Sequence, residues 1–128
     1  MTLVDSSAWI DFFRGGFPMS GVVRRGLEAN RVAVCGPIKT ELWRGFRSES
    51  ERRYVLPLFE GCHYLEQPEG LWEQAGDLGF FLARQGIIAK SMDLMIAVYA
   101  LTHRVSLLTR DLDFRNMVRA GVALTLVK

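Results

Sequence analysis

The sequence predicts an α/β domain with a mostly parallel sheet. Two observations lead there. Short β-type runs alternate with helical stretches along the chain. No repeat, low-complexity tract or linker interrupts that alternation. The 128 residues, 49% hydrophobic and 23% charged, suit one domain over residues 1–128. A chain of this size builds a core without disulfides or structural metals.

The elements are expected in the following order. Thr2–Val4 is a strand that ends at Asp5. A helix follows from about Ser6 to Arg14, with Trp9, Phe12 and Phe13 at helical spacing, and Gly15, Gly16 and Pro18 break it. A second helix, about Ser20 to Ala29, leads to the strand Arg31–Cys35. Gly36-Pro37 starts a third helix, because proline suits a first helical position. Residues 49–60 and 70–85 are two more helices around a short run, Cys62–Leu65, and Gly86 stops the second. Ser91 is a candidate N-cap for a helix reaching His103. Val105–Leu108 is an apolar strand, Leu112 to Arg119 the last helix, and Ala123–Val127 the last strand.

Composition excludes several classes. Disorder, collagen-like repeats and coiled coil do not fit these proportions. Cys35 and Cys62 make no disulfide framework and are expected as buried thiols in a reducing compartment. No apolar stretch is long enough to cross a membrane, and the N-terminus lacks the basic start of a signal peptide. A cytoplasmic protein is the expectation. Thirteen of the sixteen basic residues are arginine, and residues 14–53 hold nine basic against four acidic side chains. Guanidinium suits phosphate and carboxylate, although a net charge of +2 does not by itself mark a nucleic-acid surface.

Asp93 is the most informative residue. It sits in the first turn of a helix whose next eight residues, Leu94 to Leu101, are all apolar. Such a helix is buried all round, and a carboxylate there needs a partner or a metal. Favourable interaction with the helix dipole is worth only about 1 kcal/mol, too little to offset desolvation. Asp5 and Asp111 fall after strands, where they also fit as N-caps of the next helices. Glu41 lies at the edge of an apolar stripe, where it also fits as a solvated residue or a partner of Arg44. Asp11 and Asp77 are expected at the surface. Should the four acids converge, their repulsion calls for a divalent cation. Carboxylate oxygen suits Mg²⁺ or Mn²⁺, and His63 and His103 have no ligand spacing. Carboxylates, such a metal and water suffice for phosphodiester hydrolysis.

These residues carry a resemblance. Val4-Asp5-Ser6-Ser7-Ala8-Trp9-Ile10-Asp11-Phe12, Thr40-Glu41-Leu42-Trp43-Arg44-Gly45, Ser91-Met92-Asp93-Leu94-Met95-Ile96-Ala97 and Leu107-Leu108-Thr109-Arg110-Asp111-Leu112-Asp113-Phe114 occur in that order. They resemble the acidic motifs of the PIN-domain ribonucleases, in particular the VapC-type toxins of toxin–antitoxin pairs. The resemblance implies a PIN-like domain with a four- to five-stranded sheet between helices. It implies that Asp5, Glu41, Asp93 and Asp111 are the catalytic acids and metal ligands. Asp113 matches a position that joins the metal site or supports it. Ser7 and Thr109 match hydroxyls beside the acids, and Ser6 a more structural one. The implied activity is Mg²⁺- or Mn²⁺-dependent endoribonuclease, cleaving RNA such as transfer or ribosomal RNA with metal-activated water. Arg14, Arg44, Arg47 and Arg110 are candidate phosphate contacts by position.

The resemblance also implies a VapB-like antitoxin whose helical tail lies in an apolar groove. Trp9, Phe13, Trp43 and Phe46 are the candidates to line it. A homodimer is expected as well. The competing reading is a catalytically inactive PIN-fold module that binds RNA or protein, against which the four intact acids argue. A dehalogenase-type phosphatase needs a second aspartate where Ser7 stands. A receiver domain needs a late lysine in strand context, and Lys39, Lys90 and Lys128 do not supply it. DNA-flap nucleases carry additional acids and longer insertions, for which 128 residues leave little room.

Overall fold

Three short apolar runs and one two-residue pairing set the sheet. The computed structural model describes residues 1–16 and 18–127. Its strands are β1 (Thr2–Val4), β2 (Val32–Val34), β3 (His63–Tyr64) and β4 (Ser106–Leu108), all parallel, in the order β3-β2-β1-β4. Leu3 pairs with Ala33 on one side and Leu107 on the other, so β1 is central. Leu3, Val4, Val32, Ala33, Val34, Leu107 and Leu108 are all buried. Successive strand residues face opposite sides, so helices cover both faces, as a parallel sheet requires.

The helices among the described residues are α1 (Ser6–Phe13), α2 (Met19–Glu28), α3 (Gly36–Gly45), α4 (Glu49–Glu60), α5 (Leu71–Ala83), α6 (Ser91–His103) and α7 (Leu112–Arg119). Gly15, at φ +71°, takes the left-handed turn after α1 that a side chain resists. Pro37 lies in the first turn of α3. Ser48 caps α4 by accepting from the Glu51 amide at 3.1 Å. α1 packs on α2 and α3, while α6 packs on α5, α3 and α7. Trp9, Ile38, Leu42, Leu82, Ile96, Phe114 and Met117 fill the core between these helices and the sheet.

Two local expectations are corrected. Ser91 is the first residue of α6 rather than its cap; Lys90 holds the cap position and makes no side-chain cap bond. The expected strand over Ala123–Val127 shrinks to one parallel bridge, Leu107 to Leu126. Its cause is the shortness of β4. Leu108 turns its carbonyl to the Asp5 amide of the β1 side at 2.9 Å. Only Leu107 turns both backbone groups outward, donating to Thr125 O at 2.8 Å and accepting from Val127 N at 2.9 Å. A single outward residue supports a bridge, not a ladder. The apolar helix over residues 94–101 is buried nearly all round, with Met95 and Leu101 half-exposed. Among the described residues, no helix is long and apolar enough to cross a membrane.

Candidate metal centre

The centre lies at the carboxyl end of the sheet. β1 delivers Asp5, the start of α6 delivers Asp93, the turn from β4 into α7 delivers Thr109 and Asp111, and the first turn of α7 delivers Asp113. Asp5 occupies the cap position of α1 but makes no side-chain cap bond. Its Oδ2 instead accepts from Ser7 Oγ at 3.0 Å and Thr109 Oγ1 at 2.8 Å. Asp111 does cap its helix: its Oδ1 accepts from the Asp113 amide at 2.9 Å. The Asp111 amide in turn donates to Thr109 Oγ1 at 2.9 Å. Ser6 Oγ donates to Glu41 Oε1 at 3.1 Å. Glu41 is therefore half-buried against α1, and no ion pair joins it to Arg44 among the described residues.

One carboxylate oxygen each from Asp93, Asp111 and Asp113 lies within 4.8 Å of the others. Asp5 and Glu41 stand outside this tight triplet but add their charge to it. Asp93 is only 4% exposed, and its Oδ2 is buried with no hydrogen-bond partner. Burial foremost, then the charges of Asp111, Asp5, Glu41 and Asp113, pushes its carboxyl up to about 7. Burial also raises Asp5, against the lowering effect of its bonds from the Thr109 and Ser7 hydroxyls and of the nearby Ser6 backbone amide. Glu41 is raised by burial and by the charge of Asp5. All three of these acids move upward, first because they are buried and then because other carboxylates lie near them.

The donor set fits a hard divalent cation. It offers carboxylate oxygens, one of them buried and unpaired, and no soft ligand. Both histidines are engaged elsewhere: His63 Nε2 bonds Asn30 O and His103 Nε2 bonds Glu66 O, each at 2.8 Å. The Cys35 thiol is pushed up to about 12, chiefly by burial, and Cys35 is not part of the tight carboxylate set. Both cysteines are free, Cys35 buried and Cys62 half-buried.

Sequence reasoning missed one pair. Asp11, expected at the surface, is only 9% exposed. Arg110 Nη1 donates to its Oδ1 at 2.8 Å and its Oδ2 at 2.9 Å. The signal was available: Asp11 sits among Trp9, Ile10, Phe12 and Phe13, the same apolar setting that singled out Asp93. This pairing engages Arg110 Nη1, while 55% of the side chain stays accessible. Arg14 is likewise engaged, donating to Glu51 at 3.2 Å. Arg44 and Arg47 are exposed and make no ion pair among the described residues.

The aromatic residues divide in a way that periodicity does not show. Trp9 is 0% exposed and packs its ring on Phe59 and Phe12, so it belongs to the core and lines no groove. Phe13, Trp43 and Phe46 are half-buried, and Phe46 packs on both of the others. Trp43 lines a depression of about 230 Å³ with Lys39, Leu56 and Phe59. Tyr54, Tyr64, Trp72, Phe80 and Phe81 reach solvent.

The PIN domain family matches residues 2–120. The chain is 33% identical over 125 residues to a VapC ribonuclease of Mycobacterium bovis and to ribonuclease VapC11 of Mycobacterium tuberculosis. Each match covers 93% of this chain and 92% of the relative. In fold the chain is similar to VapBC2 from Rickettsia felis bound to a promoter DNA fragment, with TM-score 0.76 and 16% identity over 98% of this chain and 96% of that one. A toxin–antitoxin complex from Klebsiella pneumoniae gives TM-score 0.72 and 23% identity over 100% of this chain and 97% of that one. Matching length, matching fold and a family match across almost every element lead to one conclusion: the chain belongs to the PIN domain family, in its VapC group.

Proposed function

We propose that this protein is an Mg²⁺- or Mn²⁺-dependent endoribonuclease, the toxin of a type II toxin–antitoxin pair. The observation that carries the reading is the buried, unpaired Asp93 Oδ2 set among converging carboxylates. Asp93, Asp111 and Asp113 would hold the cation, with Asp5 and Glu41 at the margin. A bound divalent cation lowers the pKa of water and offsets charge on a phosphate. The chain's own residues prepare the place. Ser7 and Thr109 hold the Asp5 carboxylate in one rotamer, and Ser6 holds Glu41. The Asp113 amide orients Asp111. Burial keeps bulk water from screening Asp5 and Asp93.

Several facts support RNA and an antitoxin as partners. The Mycobacterium relatives are ribonucleases, and the Klebsiella pneumoniae neighbour is a toxin–antitoxin complex. Arg44 and Arg47, exposed near Glu41 in the chain, are the candidates to meet phosphate. Phe13, Trp43 and Phe46 form an apolar face for the antitoxin helix. A homodimer and a cytoplasmic location complete the reading.

The test is RNA cleavage by the purified chain free of antitoxin, with Mg²⁺ or Mn²⁺ against EDTA, and with Asp93→Asn against wild type. Cleavage that needs metal and vanishes in the variant is expected. No cleavage with either metal, and no metal binding by calorimetry, would move the assignment to a catalytically inactive PIN module.

A further inference from the structure

We infer that Asp11 and Arg110 are a positioning pair that holds the loop carrying Thr109 and Asp111. Ser7 and Asp11 are four residues apart on α1 and share one face. That face grips Arg110 twice. Ser7 Oγ accepts from the Arg110 amide at 3.0 Å, and the Asp11 carboxylate accepts from its Nη1 at 2.8 and 2.9 Å. The two ends of the grip are 99 residues apart in sequence. They meet because β1 and β4 are neighbours, which brings the start of α1 beside the end of β4.

The consequence lies on either side of Arg110. Thr109 Oγ1 donates to Asp5 and accepts from the Asp111 amide, so both bonds depend on where the backbone of Arg110 rests. Asp11 itself has little freedom. The Gly16 amide donates to Asp11 O at 2.6 Å, and a Cβ at Gly16 would stand 3.0 Å from Asp11 Cγ. The chain thus closes over the carboxylate with only a glycine's thickness to spare. A buried carboxylate is costly unless paired, and Arg110 is the partner the fold supplies. The Arg110 side chain keeps 55% of its surface accessible. Its role is to hold the loop, acting on the metal centre through Thr109 and Asp111.

The importance of that loop rests on the proposed metal centre, whereas the grip can be read without metal or RNA. The experiment is amide hydrogen exchange of the metal-free chain, with Asp11→Asn compared with wild type. The Arg110 and Asp111 amides should exchange about tenfold faster or more, while the Leu107 amide in β4 keeps its protection. Mn²⁺ binding by calorimetry should weaken by roughly tenfold or more, as for other groups that orient metal ligands. RNA cleavage should then show a lower kcat with KM unchanged, and Arg110→Lys should retain more metal affinity than Arg110→Gln. Unchanged exchange at Arg110 and Asp111 in Asp11→Asn would overturn the inference. So would a raised KM for RNA with exchange and Mn²⁺ affinity intact, which would make Arg110 a phosphate contact. Should Asp11→Asn fail to fold, Arg110→Gln, altered at the exposed end of the pair, carries the same exchange measurement. A wild-type chain that cleaves no RNA would count against the proposed function and leave the exchange result standing.

Discussion

Thr109 Oγ1 donates to Asp5 Oδ2 at 2.8 Å, joining residues 104 positions apart. The same hydroxyl accepts from the Asp111 amide at 2.9 Å. One side chain therefore sets the acid after β1 and the acid after β4 in a fixed relation. This works only because β1 and β4 pair in register, Val4 beside Leu108.

Thr109→Val keeps the shape and removes both bonds. It should lower metal-dependent cleavage about 10- to 100-fold, the usual effect of losing a group that orients metal ligands. It should also destabilise the chain by about 1–2 kcal/mol, because buried polar groups lose their partner. Thr109→Ser keeps the hydroxyl and should stay close to wild type in both. Urea unfolding beside the cleavage assay separates the two effects. A valine variant as active as the wild type would show that the hydroxyl does not position the acids.

Asp93 makes stability depend on pH. Its carboxyl moves from the ordinary 3.8 up to about 7, chiefly through burial and then through the charges of Asp111, Asp5, Glu41 and Asp113. The folded chain then binds that proton more tightly than the unfolded chain. The contribution is fully present below the unfolded value and is lost as pH rises through the folded one. Asp5 and Glu41 are raised as well, so they act in the same direction. In EDTA, Tm should therefore fall as pH rises from about 4 to about 7. Mn²⁺ should flatten the fall, and Asp93→Asn should reduce it while raising Tm at neutral pH. Calorimetric scans across that range check this; a metal-free Tm that rises steadily to pH 7 would contradict it.

Two helical glycines should respond in opposite directions to alanine. A Cβ at Gly76 in α5 meets nothing within 4 Å, so Gly76→Ala should stabilise by about 1 kcal/mol through helix propensity alone. A Cβ at Gly26 in α2 would stand 3.0 Å from Val32 Cγ2. Val32 is buried in β2, and its branched side chain has little room to turn. Gly26→Ala should therefore lose about 1–3 kcal/mol to overpacking, more than the propensity gain returns. Denaturant midpoints of the two variants decide it.

The sequence by itself determined the order of elements and the acids to watch. Those signals are local. A strand shows as a short apolar run, a helix start as Gly36-Pro37, and a buried helix as the unbroken apolar stretch after Asp93. Asp5 and Asp111 could be named because each follows a strand, and the first turn of a buried helix is a costly place for Asp93. The last strand exceeded what the fold allows, because the length of β4 decides how much ladder its free edge supports. Trp9 and Phe13 share helical spacing, yet one is core and the other half-buried. Which face of α1 is covered depends on α2 and α3, which a single helix does not reveal.

Only the tertiary structure decided which acids meet. It drew Asp93, Asp111 and Asp113 into one tight set and left Asp5 and Glu41 at its margin. It also brought Arg110 and Asp11, 99 residues apart, into a direct pair. Both outcomes depend on contacts between residues far apart in the chain, fixed by the neighbouring of β1 and β4 and by the packing of α6 on α3 and α7. Distances between such residues follow from strand order and helix packing. Residue spacing carries that information only within a helical turn or a strand.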